Sequence, residues 1–246
     1  MMDGNAIQTL YDRFAAPETQ AGRVFTPAGW TEAKADHFIV DPLQVGTLTG
    51  FTDYVEANRD GLTLAELVVH VKEPGRVELR AKIEGHAEKY RRNTYLVAST
   101  GLVGGPALQW ATYVDAETFY IALQAGFVAT PDRDQLLTII ASIRENSVRE
   151  VVDDGVSQEV KTGKGVAIVG NTRIPKRVTL APYRTFREVE QPASPFVLRL
   201  QPAPQGSDRP RLALFEADGG AWKLDAIKLV ARYLRAAIGE KVTVIA

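Results

Sequence analysis

The strongest constraint on the fold is a stretch around residues 65–84 in which apolar and charged residues alternate about a turn. The segment Leu67 to Val71 is apolar and β-branched, and Pro74-Gly75 supplies the turn. The apolar residues after the turn alternate with charged ones, namely Val77, Leu79, Ala81 and Ile83 with Arg76, Glu78, Arg80 and Lys82. A strand of this kind has one face on a core and one face in water. The pattern predicts a β-hairpin with one buried and one solvated face.

Helical periodicity marks further segments of the chain. It predicts a short helix over 4–15, a helix over Thr47 to Asn58, and a helix over Pro131 to Asn146 that begins with proline and two acidic residues. The last helix carries an apolar stripe and is stopped by Gly239, and its stripe consists of Leu224, Ile227, Val230, Ala231, Leu234 and Ile238. The segment Asp115 to Val128 fits a helix and a strand equally well.

The sequence after residue 147 has a pattern typical of β-sheet. From Val148 to Gln201 it mostly alternates, and the run Phe196 to Leu200 is the clearest strand. Arg211 to Phe215 and Val242 to Ile245 predict two more strands. Helices and strands grouped in this way predict an α+β fold: a mixed N-terminal half with the hairpin, a helical connector near 131–146, and a β-rich C-terminal half with one amphipathic helix.

Three regions follow from this organisation. Residues 1–36 combine the first helix with a Pro-, Gly- and Thr-containing extended arm, residues 37–146 form an α+β region with the hairpin 65–84, and residues 147–246 form a β-rich region with the C-terminal helix. The pattern leaves open whether the last two regions share one core.

Composition excludes several function classes. The 246 residues include no cysteine and three histidines, His37, His70 and His86, so a thiol nucleophile, a cysteine-ligated metal and a disulfide are ruled out. The net charge of −1 predicts no whole-molecule attraction to nucleic acid. The sequence has neither a signal-peptide pattern nor an apolar run of about 18 residues. We therefore expect a cytoplasmic protein without a membrane partner.

The motifs that carry chemistry are missing or incomplete. Gly163-Lys164-Gly165 looks like a phosphate loop, but the Ser or Thr that a Walker loop needs after the lysine is replaced by glycine. Asp153-Asp154 offers carboxylates to a hard cation, although an Asp-Asp-Gly turn between strands explains it more simply. The histidines have no companion motif. The sequence predicts no catalytic residue, no metal site and no cofactor.

Local basicity is the clearest functional signal. The segment from Lys161 to Glu190 contains seven basic residues and only two acidic ones, and two aromatic residues lie among the basic ones. Arginine and aromatic side chains on a sheet can hold single-stranded nucleic acid by pairing phosphates and stacking on bases, while a solvated sheet face accounts for the same pattern without a ligand. The candidate nucleic-acid-binding residues are Lys161, Lys164, Arg173, Lys176, Arg177, Tyr183, Arg184, Phe186 and Arg187. Further basic residues that could join them are Lys89, Arg91, Arg92, Lys228, Arg232 and Arg235.

Several short segments carry a resemblance that covers most of residues 45–200. They are Phe51 to Val55, Val68 to His70, the segment Pro131 to Val148 with its glycine-bearing β stretch, and Ile174-Pro175. In this order they resemble the YfdQ-like family of phage and prophage proteins, a domain of unknown function, and the tail from Phe215 to Ala246 departs from the family pattern. The resemblance implies a phage-encoded accessory protein without known catalytic residues. It also implies work beside DNA replication or recombination, or self-assembly.

These observations favour a non-enzymatic phage or prophage accessory protein that acts by binding in the host cytoplasm, with single-stranded nucleic acid as its ligand. The alternative is a structural protein that assembles into a homo-oligomer or capsid-like shell through the arm 16–36 and the hairpin. A third reading is a metal-dependent hydrolase that uses Asp153, Asp154 and a remote histidine.

Overall fold

The computed structural model describes residues 41–81, 92–102, 110–145, 147–153, 157–164, 167–175, 177–201 and 210–246, and two short strands before them. Between 142 and 174 it describes the backbone path only. The chain divides into two units at Val40 and Asp41. In the first unit, β1 (Thr19–Gln20) and β2 (Arg23–Val24) pair as an antiparallel ribbon. The short helix that the sequence predicts over 4–15 lies outside the described residues.

The second unit begins with a five-stranded sheet, which we call the first sheet. Its strand order is β14-β4-β5-β6-β3. Strands β4 to β6 form an antiparallel meander, and the two edge strands run parallel to their neighbours. The bounds are β3 (Leu43–Val45), β4 (Leu67–Glu73), β5 (Arg76–Ala81), β6 (Thr94–Ser99) and β14 (Thr243–Ile245). The hairpin predicted near 65–84 is therefore confirmed as β4 and β5.

Two helices cover one face of the first sheet, α1 (Leu48–Ala57) and α4 (Trp222–Ile238). Their buried residues and the inward residues of β4, β5 and β6 make one continuous cluster, the first core. The apolar stripe predicted for α4 lies in this core except for Leu224, which is 63% exposed. Gly239 ends α4 at a φ of 64°, a left-handed value that a side chain would strain.

A second, antiparallel sheet has the order β11-β12-β13-β7 and packs against the other two helices. Its strands are β7 (Val114–Asp115), β11 (Arg177–Leu180), β12 (Ser194–Gln201) and β13 (Arg211–Glu216), and its helices are α2 (Ala116–Gly126) and α3 (Pro131–Glu145). The strict alternation of buried and partly exposed residues along β12 explains why this strand was the clearest in the sequence. The buried residues of this sheet and its two helices form a separate cluster, the second core. Trp110, Phe127 and Phe196 meet in it, with ring centroids 5.1–6.5 Å apart.

A separate three-stranded antiparallel meander follows α3. It consists of β8 (Ser147–Asp153), β9 (Ser157–Lys164) and β10 (Ala167–Pro175), with β9 in the middle. The sequence predicted β structure here, and the α+β class with a strand-rich C-terminal half is confirmed. Each of the two larger sheets contains strands from before and after residue 146.

An irregular segment joins the two larger sheets. Residues 181–193, the linking segment, leave β11, touch the first core and return to β12. Phe186 is buried in the first core, and the Oγ1 atom of Thr185 donates to the carbonyl of Pro74 in the hairpin turn. One carboxylate oxygen of Glu188 accepts from the backbone N–H groups of Leu48 and Thr49 at 2.7 and 3.2 Å, so it caps the start of α1.

Candidate functional site

The predicted nucleic-acid-binding residues are distributed over three strands and the linking segment. Lys161 and Lys164 lie on β9, Arg173 lies on β10, and Arg177 begins β11, where it is exposed. Lys176 lies outside the described residues. The remaining four, Tyr183, Arg184, Phe186 and Arg187, belong to the linking segment.

The register of the meander places acidic residues beside the basic ones. Lys161 pairs with Asn171 of β10 and with Glu150 of β8, and Arg173 pairs with Glu159 of β9. Residues that are paired on adjacent strands are each other's closest neighbours in a sheet. The meander therefore does not gather its basic positions apart from its acidic ones.

The linking segment corrects one expectation. The alternating pattern placed Tyr183 to Arg187 on a sheet face, but this segment is irregular, and its strand pairing is limited to an isolated bridge between Pro182 and Phe127. Its residues face different surroundings as a result. The period-two rule that puts every second side chain in water does not apply to them.

Arg184 is a structural residue. Its side chain is 5% exposed, and its guanidinium forms an ion pair with Glu216 and donates to Oγ of Ser194 at 2.6 Å. The guanidinium carbon lies 3.8 Å from the centroid of the Trp222 ring. Burial lowers the pKa of Arg184 to about 10, against the raising effect of Glu216 and Asp218. In this position Arg184 cannot pair a phosphate in solution.

Phe186 is also removed from any ligand. It is 1% exposed and belongs to the first core, where it contacts side chains of the hairpin and helices. A base could stack on it only if the core opened. Its apolar character is explained by packing alone.

Tyr183 and Arg187 retain the arrangement that the sequence suggested. The guanidinium carbon of Arg187 lies 3.7 Å from the centroid of the Tyr183 ring, and Arg187 is exposed. Within the described part of the chain Arg187 and Arg177 have no carboxylate partner. These three residues are the members of the predicted set whose side chains are both described and accessible.

A second basic surface lies on the first sheet, on the face away from the helices. Glu78 of β5 is 7% exposed there, and three cations surround it. They are Arg76 with Nε at 2.7 Å, Arg80 with Nε at 3.7 Å and Lys72 with Nζ at 3.8 Å from a Glu78 carboxylate oxygen. We call these four residues the Glu78 face. Sequence reasoning assigned Arg76 and Arg80 to the wet face of the hairpin but did not single them out, although two arginines and one acid alternating on a strand were the available signal.

The pKa of Glu78 reflects this surrounding. Burial alone would raise it, but the hydrogen bond from Arg76 and the charges of Lys72, Arg76 and Arg80 together hold the pKa below its ordinary value. The carboxylate is therefore ionised near neutral pH, and the face carries three positive charges against one negative charge.

The histidines and the acidic pair form no catalytic cluster that the structure describes. His70 lies opposite Glu78 on the neighbouring strand, and Asp153 ends β8, while His37, His86 and Asp154 lie outside the described residues. Among the residues described, no three His, Asp or Glu side chains are grouped so that they could hold a metal ion.

The additional basic residues on α4 are exposed but partly engaged. Lys228 is 3.6 Å from a carboxylate oxygen of Asp225, and Arg235 donates to the carbonyl of Val244 at 3.2 Å. Arg92 donates to the carbonyl of Ala81 at 3.3 Å, and Lys89 and Arg91 lie outside the described residues.

Comparisons with protein-family models, curated proteins and solved structures yield no match to this chain. The resemblance to the YfdQ-like family therefore stays a prediction. No helix in the described ranges has the length and apolar character needed to cross a membrane.

Proposed function

We propose that this protein is a non-catalytic accessory protein of phage or prophage origin that binds single-stranded nucleic acid in the host cytoplasm. The contact surface consists of Tyr183, Arg187 and Arg177. The observation that carries the proposal is the stacked pair of Tyr183 and Arg187, whose guanidinium is exposed and lacks a carboxylate partner among the described residues.

The chemistry of the pair suits a single strand. A guanidinium held flat on an aromatic ring presents its outer plane to a base and its N–H edges to a phosphate. Such stacking accepts any base, since every base has a π face. Arg177 adds a further exposed cation at the start of β11. Sequence-tolerant binding with a strong salt dependence is the expected behaviour.

The test is fluorescence anisotropy with a labelled oligothymidylate of about 20 nucleotides across a range of salt concentrations. We expect Tyr183→Ala with Arg187→Gln to weaken binding by about 5- to 150-fold, which corresponds to about 1–3 kcal/mol for a lost stacking contact. The salt slope should fall by about one for each lost phosphate contact.

The matched control is Lys223→Gln on α4, which likewise removes one exposed positive charge and lies outside the predicted basic set. It should leave the affinity within about twofold. Equal affinity of the wild type and the Tyr183/Arg187 variant would refute the proposal.

A further inference from the structure

We propose that the Glu78 face is a separate binding site for a phosphate group, carried either by a nucleic-acid backbone or by a small phosphorylated molecule. The site uses Lys72 of β4 and Arg76 and Arg80 of β5. It lies on the first sheet, whereas the Tyr183–Arg187 pair belongs to the linking segment, and it does not depend on the function proposed for that pair.

Positive charge is in excess around Glu78. Three cations lie within 3.8 Å of Glu78, and one carboxylate cannot neutralise them. Their side chains are 34–47% exposed, so an anion from solution can reach them. Glu73 of β4 is exposed and lies opposite Arg76 in the strand register, so with it the group carries one net positive charge, which still favours an anionic ligand such as phosphate.

Some N–H groups of the Glu78 face have no hydrogen-bond acceptor within the described part of the chain. Arg76 uses only its Nε atom for Glu78, and within the described part of the chain neither of its terminal nitrogens has a partner. The Nε atom of Arg80 is buried without any hydrogen-bond partner. A free guanidinium fork is the group that binds two phosphate oxygens at once, and a buried N–H without an acceptor is costly. The terminal nitrogens of Arg76 therefore lack an acceptor within the described part of the chain.

The surface around Glu78 is rigid. Arg76, Glu78 and Arg80 alternate along β5, so the two arginines lie about 13 Å apart along the strand with the carboxylate between them. The hairpin turn before them is fixed from two sides. The carbonyl of Gly75 accepts from the N–H of Thr100 at 3.0 Å, and the carbonyl of Pro74 accepts from Thr185. A Cβ atom at Gly75 would overlap Oγ1 of Thr100, so the turn accepts only glycine without a local shift.

Glu78 has a positioning role in this arrangement. By accepting from Nε of Arg76 it orients the guanidinium, so that its terminal nitrogens are available to a ligand. It also brings Lys72 of the neighbouring strand to the same point. The ligand is then bound by groups that are already ordered, which reduces the entropic cost of binding.

The experiment compares a face variant, Lys72→Gln with Arg76→Gln, with a control of equal charge change, Lys223→Gln with Arg59→Gln. Two probes are titrated into the full-length protein by calorimetry, inorganic pyrophosphate and unlabelled oligothymidylate of about 20 nucleotides. Circular dichroism checks that each variant is folded. A third variant, Arg76→Lys, keeps the charge but removes the fork.

We expect the face variant to lose at least tenfold in affinity for one of the two probes, the control to stay within twofold, and Arg76→Lys to fall between them. If only the oligonucleotide responds, the phosphate belongs to a nucleic-acid backbone; if pyrophosphate responds, a small phosphorylated ligand is sufficient. The proposal is overturned if the wild type binds neither probe, or if the face and control variants lose affinity equally. Because Tyr183 and Arg187 are unchanged throughout, an equal loss in the face and control variants leaves the function proposed above untouched, whereas a wild type that does not bind the oligonucleotide contradicts that function as well.

Discussion

Gln191 shows how one buried side chain can hold an irregular segment in place. It is 6% exposed, and its Oε1 atom accepts from the N–H groups of Arg184 and Thr185 at 3.1 and 3.2 Å. Its Nε2 atom donates to the carbonyls of Phe186 and Val189 at 2.9 and 3.0 Å. These four bonds replace the ladder that a strand would supply, and they satisfy backbone groups that would otherwise be buried unpaired.

Replacing Gln191 with leucine should therefore destabilise the fold. The variant Gln191→Leu leaves three backbone groups without their partner, while the carbonyl of Phe186 keeps its bond from the N–H of Val189. We expect the free energy of unfolding to fall by about 3–5 kcal/mol, since each unsatisfied group costs about 1–3 kcal/mol and the segment can relax in part. Urea denaturation measures the change. The same substitution at the exposed Gln135 of α3 is the control and should change the stability by less than about 0.5 kcal/mol. Equal effects of the two substitutions would contradict the assignment.

The depressed pKa of Glu78 predicts a pH dependence of stability. Its pKa is lower in the folded chain than in the unfolded chain, so the ionised carboxylate stabilises the fold above its ordinary pKa, and this contribution is lost as the pH falls through the folded value. We expect Glu78→Gln to reduce the free energy of unfolding at pH 7 by about 1.5–3 kcal/mol, as for a hydrogen bond to a charged group. Parallel urea titrations of the wild type and the variant from pH 7 to pH 3 should show the two curves converging at the acidic end. A gap that stays constant with pH would show that the carboxylate charge does not contribute.

Among the elements, α2 illustrates what local pattern leaves undecided. Its sequence fitted a helix and a strand equally well, and the structure shows a helix that begins at Ala116. The decisive feature is Asp115, whose Oδ1 atom accepts from the N–H groups of Glu117 and Thr118 at 3.1 and 3.0 Å. The hydrogen bond from the Thr118 hydroxyl, followed by the bonds from the N–H groups of Thr118 and Glu117, lowers the pKa of Asp115. An acidic N-cap before the first turn was visible in the sequence and could have settled the choice.

The cap is testable by a paired substitution. Asp115→Ala removes the acceptor for two N–H groups at the start of α2, and we expect a loss of about 1–2 kcal/mol in the free energy of unfolding. The side chain of Glu117 lies in the same turn but makes no capping bond. Glu117→Ala should therefore reduce the free energy of unfolding by less than about 0.5 kcal/mol. Thermal denaturation of both variants at pH 7 provides the comparison, and an equal drop in Tm would count against the capping role.

Other elements were predicted because their signals are local. The hairpin, α1, α3, α4 and β12 each carry a complete periodic pattern with a recognisable start or stop, such as Pro74-Gly75 or Gly239. The parallel pairing of β14 with β4 could not be predicted, since nothing in either strand specifies a partner so distant along the chain. The candidate site shows the same limit. Arg184 and Phe186 have the residue types of a ligand surface, but their burial depends on contacts with Glu216, Trp222 and the first core.

At the scale of the whole molecule, two edge strands are protected by side chains. The N–H of Thr179 in β11 donates to a carboxylate oxygen of Asp132 at 3.1 Å, and the carbonyl of Val244 in β14 accepts from Arg235 at 3.2 Å. Such contacts occupy backbone groups that another chain could otherwise pair with. These two contacts therefore oppose strand addition by another chain at Thr179 and Val244.

The linking segment predicts that the two larger sheets unfold together. Phe186→Ala removes a fully buried ring from the first core, and we expect a loss of about 3–5 kcal/mol in the free energy of unfolding. Because the segment continues directly into β11 and β12, hydrogen exchange should accelerate in the second sheet as well as in the first. Phe215→Ala, at a partly exposed ring on β13, serves as the control and should have a smaller effect. Faster exchange confined to the first sheet would show that the two sheets are independent.

The position of β14 and α4 in the first sheet has a consequence for biosynthesis. The strands β3 to β6 leave the ribosome early, but the helix and the edge strand that complete their sheet are encoded after the entire second sheet. At translation speeds of about 5–20 residues per second, the nascent chain carries an incompletely covered apolar sheet face for a period on the order of ten seconds. Chaperones recognise surfaces of this kind, so the cellular yield of this protein should depend on how well the early strands are shielded until the last helix arrives.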